Sequence, residues 1–260
     1  MANKAQLSRV SELGPLNYLF AVWQIVFVGS LSFSLYFYRW TAILIYAGLF
    51  YLTALLDAFV VNPTAASYNW NIAKANGYTP AKLLLYFSLI PVLAWIPLLL
   101  IFDFGEQSIG NSLDLPTYLS RPFNWGALLL SIICVDIAFV GIHRFLLHGP
   151  LYSAHLLHHT ATKSSFFTNC FFSPVDLVLE FGAPAMILLM ASIYVGDFNL
   201  LFTSSIVLNL WYVMDHSEVL KLPHYYHHAY CRSAYFAYMK FSWPKDHDSV
   251  RAHLKKCFSE

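Results

Sequence analysis

Long apolar runs limit this chain before anything else does. The stretches 18–38, 41–61 and 83–102 are each predominantly apolar, and about 20 such residues let a helix cross a hydrocarbon core of about 30 Å. A fourth run covers 124–147, and a pair near 175–195 and 199–216 reads as a hairpin. With 58 % hydrophobic and only 11 % charged residues, the composition lies well outside that of soluble domains. The expectation is an all-α integral-membrane helical bundle of about four to six membrane helices. The N-terminal MANKAQLSRVSELGPLNY is too polar for a cleaved signal peptide, so the first apolar helix is expected to act as an uncleaved insertion signal.

Charge gives an orientation. Lys4, Arg9, Lys74 and Lys82 would share one side of the bilayer with Arg144, Lys163 and the basic tail, against Asp103, Glu106 and Asp114 on the other. The positive-inside rule then puts both termini in the cytosol. Arg39-Trp40 is so tight a connection that the first two helices should be antiparallel neighbours. The polar segments 62–82 and 103–122, with their Gly and Pro residues, read as loops. Ser173, Pro174 and Asp176 mark a helix start as N-cap, first turn and capping-box position. A net charge of +1 gives no reason to expect nucleic-acid binding. The four cysteines include no C-x-x-C pair and suggest no disulfide framework.

The chemistry-bearing residues are concentrated late in the chain. All eleven histidines lie at or beyond His143. The run DIAFVGIHRFLLHGPLYSAHLLHH, from Asp136 to His159, holds His143, His148, His155, His158 and His159. A second group comprises His216, His224, His227 and His228. A lone histidine is more often a core or surface residue than a ligand, but nine in two dense groups are poorly explained that way. Neutral imidazole is the commonest metal ligand because it offers a lone pair without adding charge.

Each helical residue advances about 100°. His155, His158 and His159 therefore fan over one face, and the adjacent pair diverges enough for one helix to serve two ions. His224, His227 and His228 repeat the H-x-x-H-H pattern. His143 and His148 are about 140° apart in an ideal helix, so either they serve different ions or the helix ends between them. Nine candidate ligands favour a two-metal centre, held in a cytosolic histidine-rich helical cap.

HRFLLH (143–148), HLLHH (155–159), His216 after an apolar helix, and HYYHH (224–228) together resemble the membrane-bound fatty acid hydroxylase/sterol desaturase superfamily. Asp136 and FFTNCFFSPVD (166–176) also look like that family, and the match covers roughly 125–230. The resemblance implies that the nine histidines ligate two iron ions that activate O2. It implies oxidation of a C–H bond in a lipophilic substrate, a fatty acyl lipid or sterol-like molecule drawn from the bilayer. It also implies an external electron donor of cytochrome b5 or ferredoxin type. Residues 1–122 then read as a transmembrane scaffold and 123–260 as the catalytic region, in a bacterial inner membrane or the endoplasmic reticulum.

Several single residues carry expectations of their own. Asp136 stands seven residues, close to two turns, before His143 and shares its face. An unpaired carboxylate there would be costly, so it is expected to orient His143, with a scaffold pairing as the alternative. Asp215 beside His216 has a similar claim. Asp57 reads as interfacial, Arg144 as snorkelling, and Glu180 either lines a substrate entry or sits at the interface. Tyr225 and Tyr226 lie inside the last box, while His247 and His253 lack box spacing and are left out of the metal site.

Two rivals remain open at this level. One is desaturation or C-4 demethylation of a sterol-like lipid at the same centre. The other is a zinc transporter or sensor, which predicts ionisable residues at mid-membrane; the early helices are nearly free of them.

Overall fold

The computed structural model describes residues 13–109, 120, 122–163, 165–217, 219, 220, 224 and 228. Lys4, Arg9, Asp114, Tyr225, Tyr226, His227, Cys231, His247, His253 and Cys257 lie outside them. The described residues contain no strand. In order they form α1 (Pro15–Tyr38), α2 (Trp40–Val61), α3 (Pro63–Ala75), α4 (Pro80–Ile109), α5 (Trp125–Leu147), α6 (Tyr152–His159), α7 (Phe166–Asn169), α8 (Pro174–Val195) and α9 (Phe198–Asp215). Helices α1, α2, α4, α5 and α8 are long and apolar enough to cross a membrane, as the apolar runs predict for a multi-pass bundle.

The hairpin of α8 and α9 organises the packing. Gly196 ends α8 at φ +70°, a conformation glycine adopts without steric cost. Asp197 then caps α9 by accepting from the Asn199 backbone N–H at 3.0 Å. The turn is so short that α9 runs back along α8, and α1 packs against its other side. Between them lies an aromatic layer in which Tyr36 stacks on Phe202 at 4.0 Å and on Phe198 at 5.3 Å. Gly105 of α4 admits this layer, because a Cβ there would stand 3.0 Å from the Phe198 ring and 3.1 Å from Leu201.

Arg39 makes the turn between α1 and α2 and reaches Glu106 at 2.6 Å and Asp103 at 3.8 Å. The pair is partly exposed and contributes little energy, but it fixes which helix ends meet.

The segment 62–82 is not a plain loop. It contains α3, with Pro63 in the first turn, where its missing N–H costs nothing. Likewise α4 continues past Asp103 to Ile109. Pro63 and Pro80 stand at helix starts, whereas Gly105 lies inside α4.

Asp57 is not interfacial either. It is fully buried and accepts from Asn62 Nδ2 at 2.7 Å, Ser165 Oγ at 2.5 Å and the Phe167 N–H at 3.0 Å. Asn69 of α3 completes this clasp. Its Nδ2 donates to the Lys163 carbonyl at 2.6 Å and to Thr168 Oγ1 at 2.7 Å, and its Oδ1 accepts from the Lys163 N–H. The segment leading from α6 to α7 is thereby tied to α2 and α3. Asp57→Ala strands the Ser165 and Phe167 donors and is expected to cost ~3 kcal/mol. A melting temperature in detergent equal to wild type would show that the clasp is not a stability element.

Four stretches widen into π-helix: Asp57–Val61, Pro91–Trp95, Gly141–Leu147 and Val178–Gly182. Such turns add one residue per turn and concentrate at functional sites. Three of them carry Asp57, His143 and Glu180.

Candidate metal centre

The wide turn at the end of α5 settles how His143 and His148 relate. The His148 N–H bonds to the His143 carbonyl at 2.8 Å, five residues back, so residues five apart are brought to one face. The helix ends at Leu147 with His148 as its cap. The two rings share one group, with their Nε2 atoms 3.2 Å apart. Gly149 makes the following turn possible, since a Cβ there would run into the Phe145 carbonyl oxygen. Gly149→Ala is expected to displace His148 and lower metal retention, read by elemental analysis after dialysis; full retention would refute this account of the turn.

Helix α6 divides its histidines as the 100° rule predicts. His155 and His159, one turn apart, join His143 and His148. His158 points to the other side and joins His216, His224 and His228. Within each group the four ligand atoms all lie within 4.8 Å of one another. The groups adjoin, with His159 and His228 stacked at 5.0 Å. Of the nine sequence candidates, eight are thus gathered, and His227 lies outside the described residues.

The nitrogen spacings fit a coordination shell. Two nitrogens held at about 2.1 Å from one ion are about 3.0 Å apart at a right angle and about 3.4 Å apart at the tetrahedral angle. His148–His159 stand at 3.0 Å, His224–His228 at 3.1 Å and His143–His148 at 3.2 Å. A hydrogen bond could join any one such pair, but groups of four converging rings exceed what imidazole hydrogen bonding requires.

Acceptors behind the rings set their tautomers. His143 Nδ1–H donates to Glu180 Oε1 at 2.8 Å, and His155 Nδ1–H to Asp176 Oδ1 at 2.8 Å. His216 Nδ1–H donates to the Tyr212 carbonyl at 2.8 Å. In each case the Nε2 lone pair is left facing the group. Ser173 fixes the first turn of α8 by accepting from the Asp176 N–H at 3.2 Å. One turn further the π-helical stretch carries Glu180, which is 3 % exposed, between the groups. Its Oε2 stands 3.9 Å from His158 Nε2 of the second group.

The carboxylate 2.8 Å from His143 is therefore Glu180, reached from another helix. Asp136 is fully buried on α5, within electrostatic range of Asp215. Asp215 lies at the second group, where its Oδ1 accepts from the His224 N–H at 3.1 Å. Sequence reasoning treated Glu180 as a lining or interfacial residue. The signal available was a glutamate one turn after Asp176 in an otherwise apolar helix, where ionisable groups are expensive and functional.

Burial among neighbouring rings holds the His216 imidazole down at about 4, and burial together with the other histidines lowers His228 well below the usual range. Neutral rings are the metal-binding form. His216 also lines a cavity of about 180 Å³ that runs into the bundle between α1, α4, α8 and α9. Its walls are largely apolar, including Leu31, Leu98, Ile101 and Leu188, with Gln24, Asn169, Ser205 and Asn209 as polar interruptions.

No curated protein and no solved structure matches the chain. Residues 128–248 match the family model described as Fatty acid hydroxylase, extending past the last histidine box expected to close the resemblance. The same residues supply the histidines gathered above, and this region carries a fatty acid hydroxylase domain, which supports the resemblance to the membrane-bound fatty acid hydroxylase/sterol desaturase superfamily.

Proposed function

We propose that the protein is a membrane monooxygenase whose two histidine groups hold a pair of iron ions and which hydroxylates a C–H bond of a lipophilic substrate. The observation that carries this reading is His216, which belongs to the second histidine group and also lines the apolar cavity. A ligand in that cavity lies beside the metal site and away from water. His143, His148, His155 and His159 would hold one ion; His158, His216, His224 and His228 the other, with His227 completing the set.

Bound iron supplies reductive O2 activation, with the balance R–H + O2 + 2 e⁻ + 2 H⁺ → R–OH + H2O. The chain's own residues do the rest. Glu180 and Asp176 hold the protons of His143 and His155 on Nδ1, and the Tyr212 carbonyl does the same for His216. Asp215 fixes the backbone of His224, and buried Asp136, within electrostatic range of Asp215, would act as a further positioning carboxylate. The cavity walls align an apolar chain and exclude water. The two electrons come from an external carrier of cytochrome b5 or ferredoxin type, docking on the cytosolic face to which the charge distribution assigns the histidine cap.

The test is metal content of the full-length protein purified in detergent after iron-57-replete expression, with Mössbauer spectroscopy. About two coupled irons per chain are expected. Zinc alone, with no O2 consumption after reconstitution with iron and reductant, would overturn the reading.

A further inference from the structure

The cavity beside His216 has a polar feature that a purely hydrocarbon substrate does not use. Ser205 is buried, lines the cavity, and its Oγ has no hydrogen-bond partner. A serine in an apolar helix ordinarily donates back to a carbonyl of the preceding turn, as Ser131 does to Ala127 at 2.9 Å and Ser88 to Leu85 at 2.8 Å. Ser205 does not. Ser192 and Ser204 are also unpartnered, but of the three only Ser205 lines this cavity.

Asn209, one turn further along α9, lines the same cavity on the same face. Its Nδ2 donates to Ser32 Oγ at 3.1 Å, which anchors the carboxamide to α1. An unpartnered hydroxyl and a carboxamide thus line one cavity inside a membrane bundle, where unsatisfied polar groups are costly. Along α9, at 1.5 Å per residue, Asn209 lies about 10 Å and Ser205 about 16 Å below His216.

We propose that Ser205 and Asn209 form a subsite for an oxygen function of the substrate, remote from the carbon presented to the metals. The substrate class is then a long lipophilic molecule with a hydroxyl or carbonyl oxygen at its buried end. A hydroxyl accepts from Ser205 Oγ–H and donates to Asn209 Oδ1; a carbonyl accepts from Ser205. The oxygen-bearing end enters first, and the subsite sets which C–H bond stops beside His216. This rests on the cavity being the substrate site, as in the function proposed above. It goes further by fixing substrate polarity and direction of entry.

The experiment measures equilibrium binding of tritiated 1-hexadecanol and hexadecane to the full-length protein, compared at equal mole fraction in the micelle. Wild type is expected to prefer the alcohol by roughly tenfold or more, because a site built to hydrogen-bond a hydroxyl rejects the analogue lacking it. Ser205→Ala should bring the preference to within about twofold while keeping hexadecane binding. Its melting temperature should be unchanged or higher, since Oγ has no protein partner to lose. Asn209→Leu should also weaken alcohol binding. An undiminished alcohol preference in both variants, or none in wild type, overturns the subsite.

Binding needs neither iron nor O2, so the two readings fail separately. A Ser205-dependent preference in a protein without iron chemistry sinks the proposed function and leaves the subsite. Iron-dependent O2 consumption without any alcohol preference does the reverse.

Discussion

Alanine at position 180 is expected to strip metal from the first histidine group while leaving the bundle assembled. Glu180 accepts the His143 Nδ1 proton at 2.8 Å and stands 3.9 Å from His158. Removing it frees His143 to rotate or change tautomer. Losing an acceptor behind a ligating histidine typically costs 10–100-fold in metal affinity. The His143 N–H also loses its 2.8 Å acceptor, worth ~1–3 kcal/mol of stability, too little to unfold a bundle built on apolar packing. Glu180→Gln keeps an acceptor oxygen and should retain most of the affinity. Chelator competition on the three proteins checks the order wild type, glutamine, alanine. Equal affinity in the alanine variant would remove Glu180 from the metal site.

The second large effect is at His158. Its ring lies 4.3 Å from that of His228 and 5.5 Å from that of His216, and it is the one member of the second group contributed by α6. His158→Ala should abolish turnover and leave about one ion per chain, because the remaining three histidines of that group come from α9 and the segment beyond it. His253→Ala, lacking box spacing, should change neither quantity. Turnover at the wild-type rate in the His158 variant would end the two-metal proposal.

Much of this was legible from residue spacing. Apolar run lengths predict the spanning helices within a few residues, except that α4 runs on seven residues to Ile109. The division of His155 and His159 from His158 follows from the helical advance alone. The sequence leaves the His143–His148 pair open because a regular helix separates them, and nothing in GIHRFLL announces a π-helical turn. The places of Glu180 and Asp57 are hidden from the sequence for a related reason. Each belongs to an apolar helix by its neighbours, but its partners come from segments 37 and about 110 positions away. Local patterning says that a buried carboxylate needs a partner; it does not say which.

Four carboxylates, Asp136, Asp176, Glu180 and Asp215, are buried around eight histidines. Neutral imidazoles bring no charge, so two divalent ions and four ionised carboxylates would cancel formally. A net charge of several units in a low-dielectric interior carries a Born cost that few folds tolerate. With both ions bound, the cap would assemble as an electroneutral plug, and the ions of the proposed centre would serve as structural counter-charges. Chelation should accordingly loosen the cap while the bundle beneath it, held chiefly by apolar packing, stays folded.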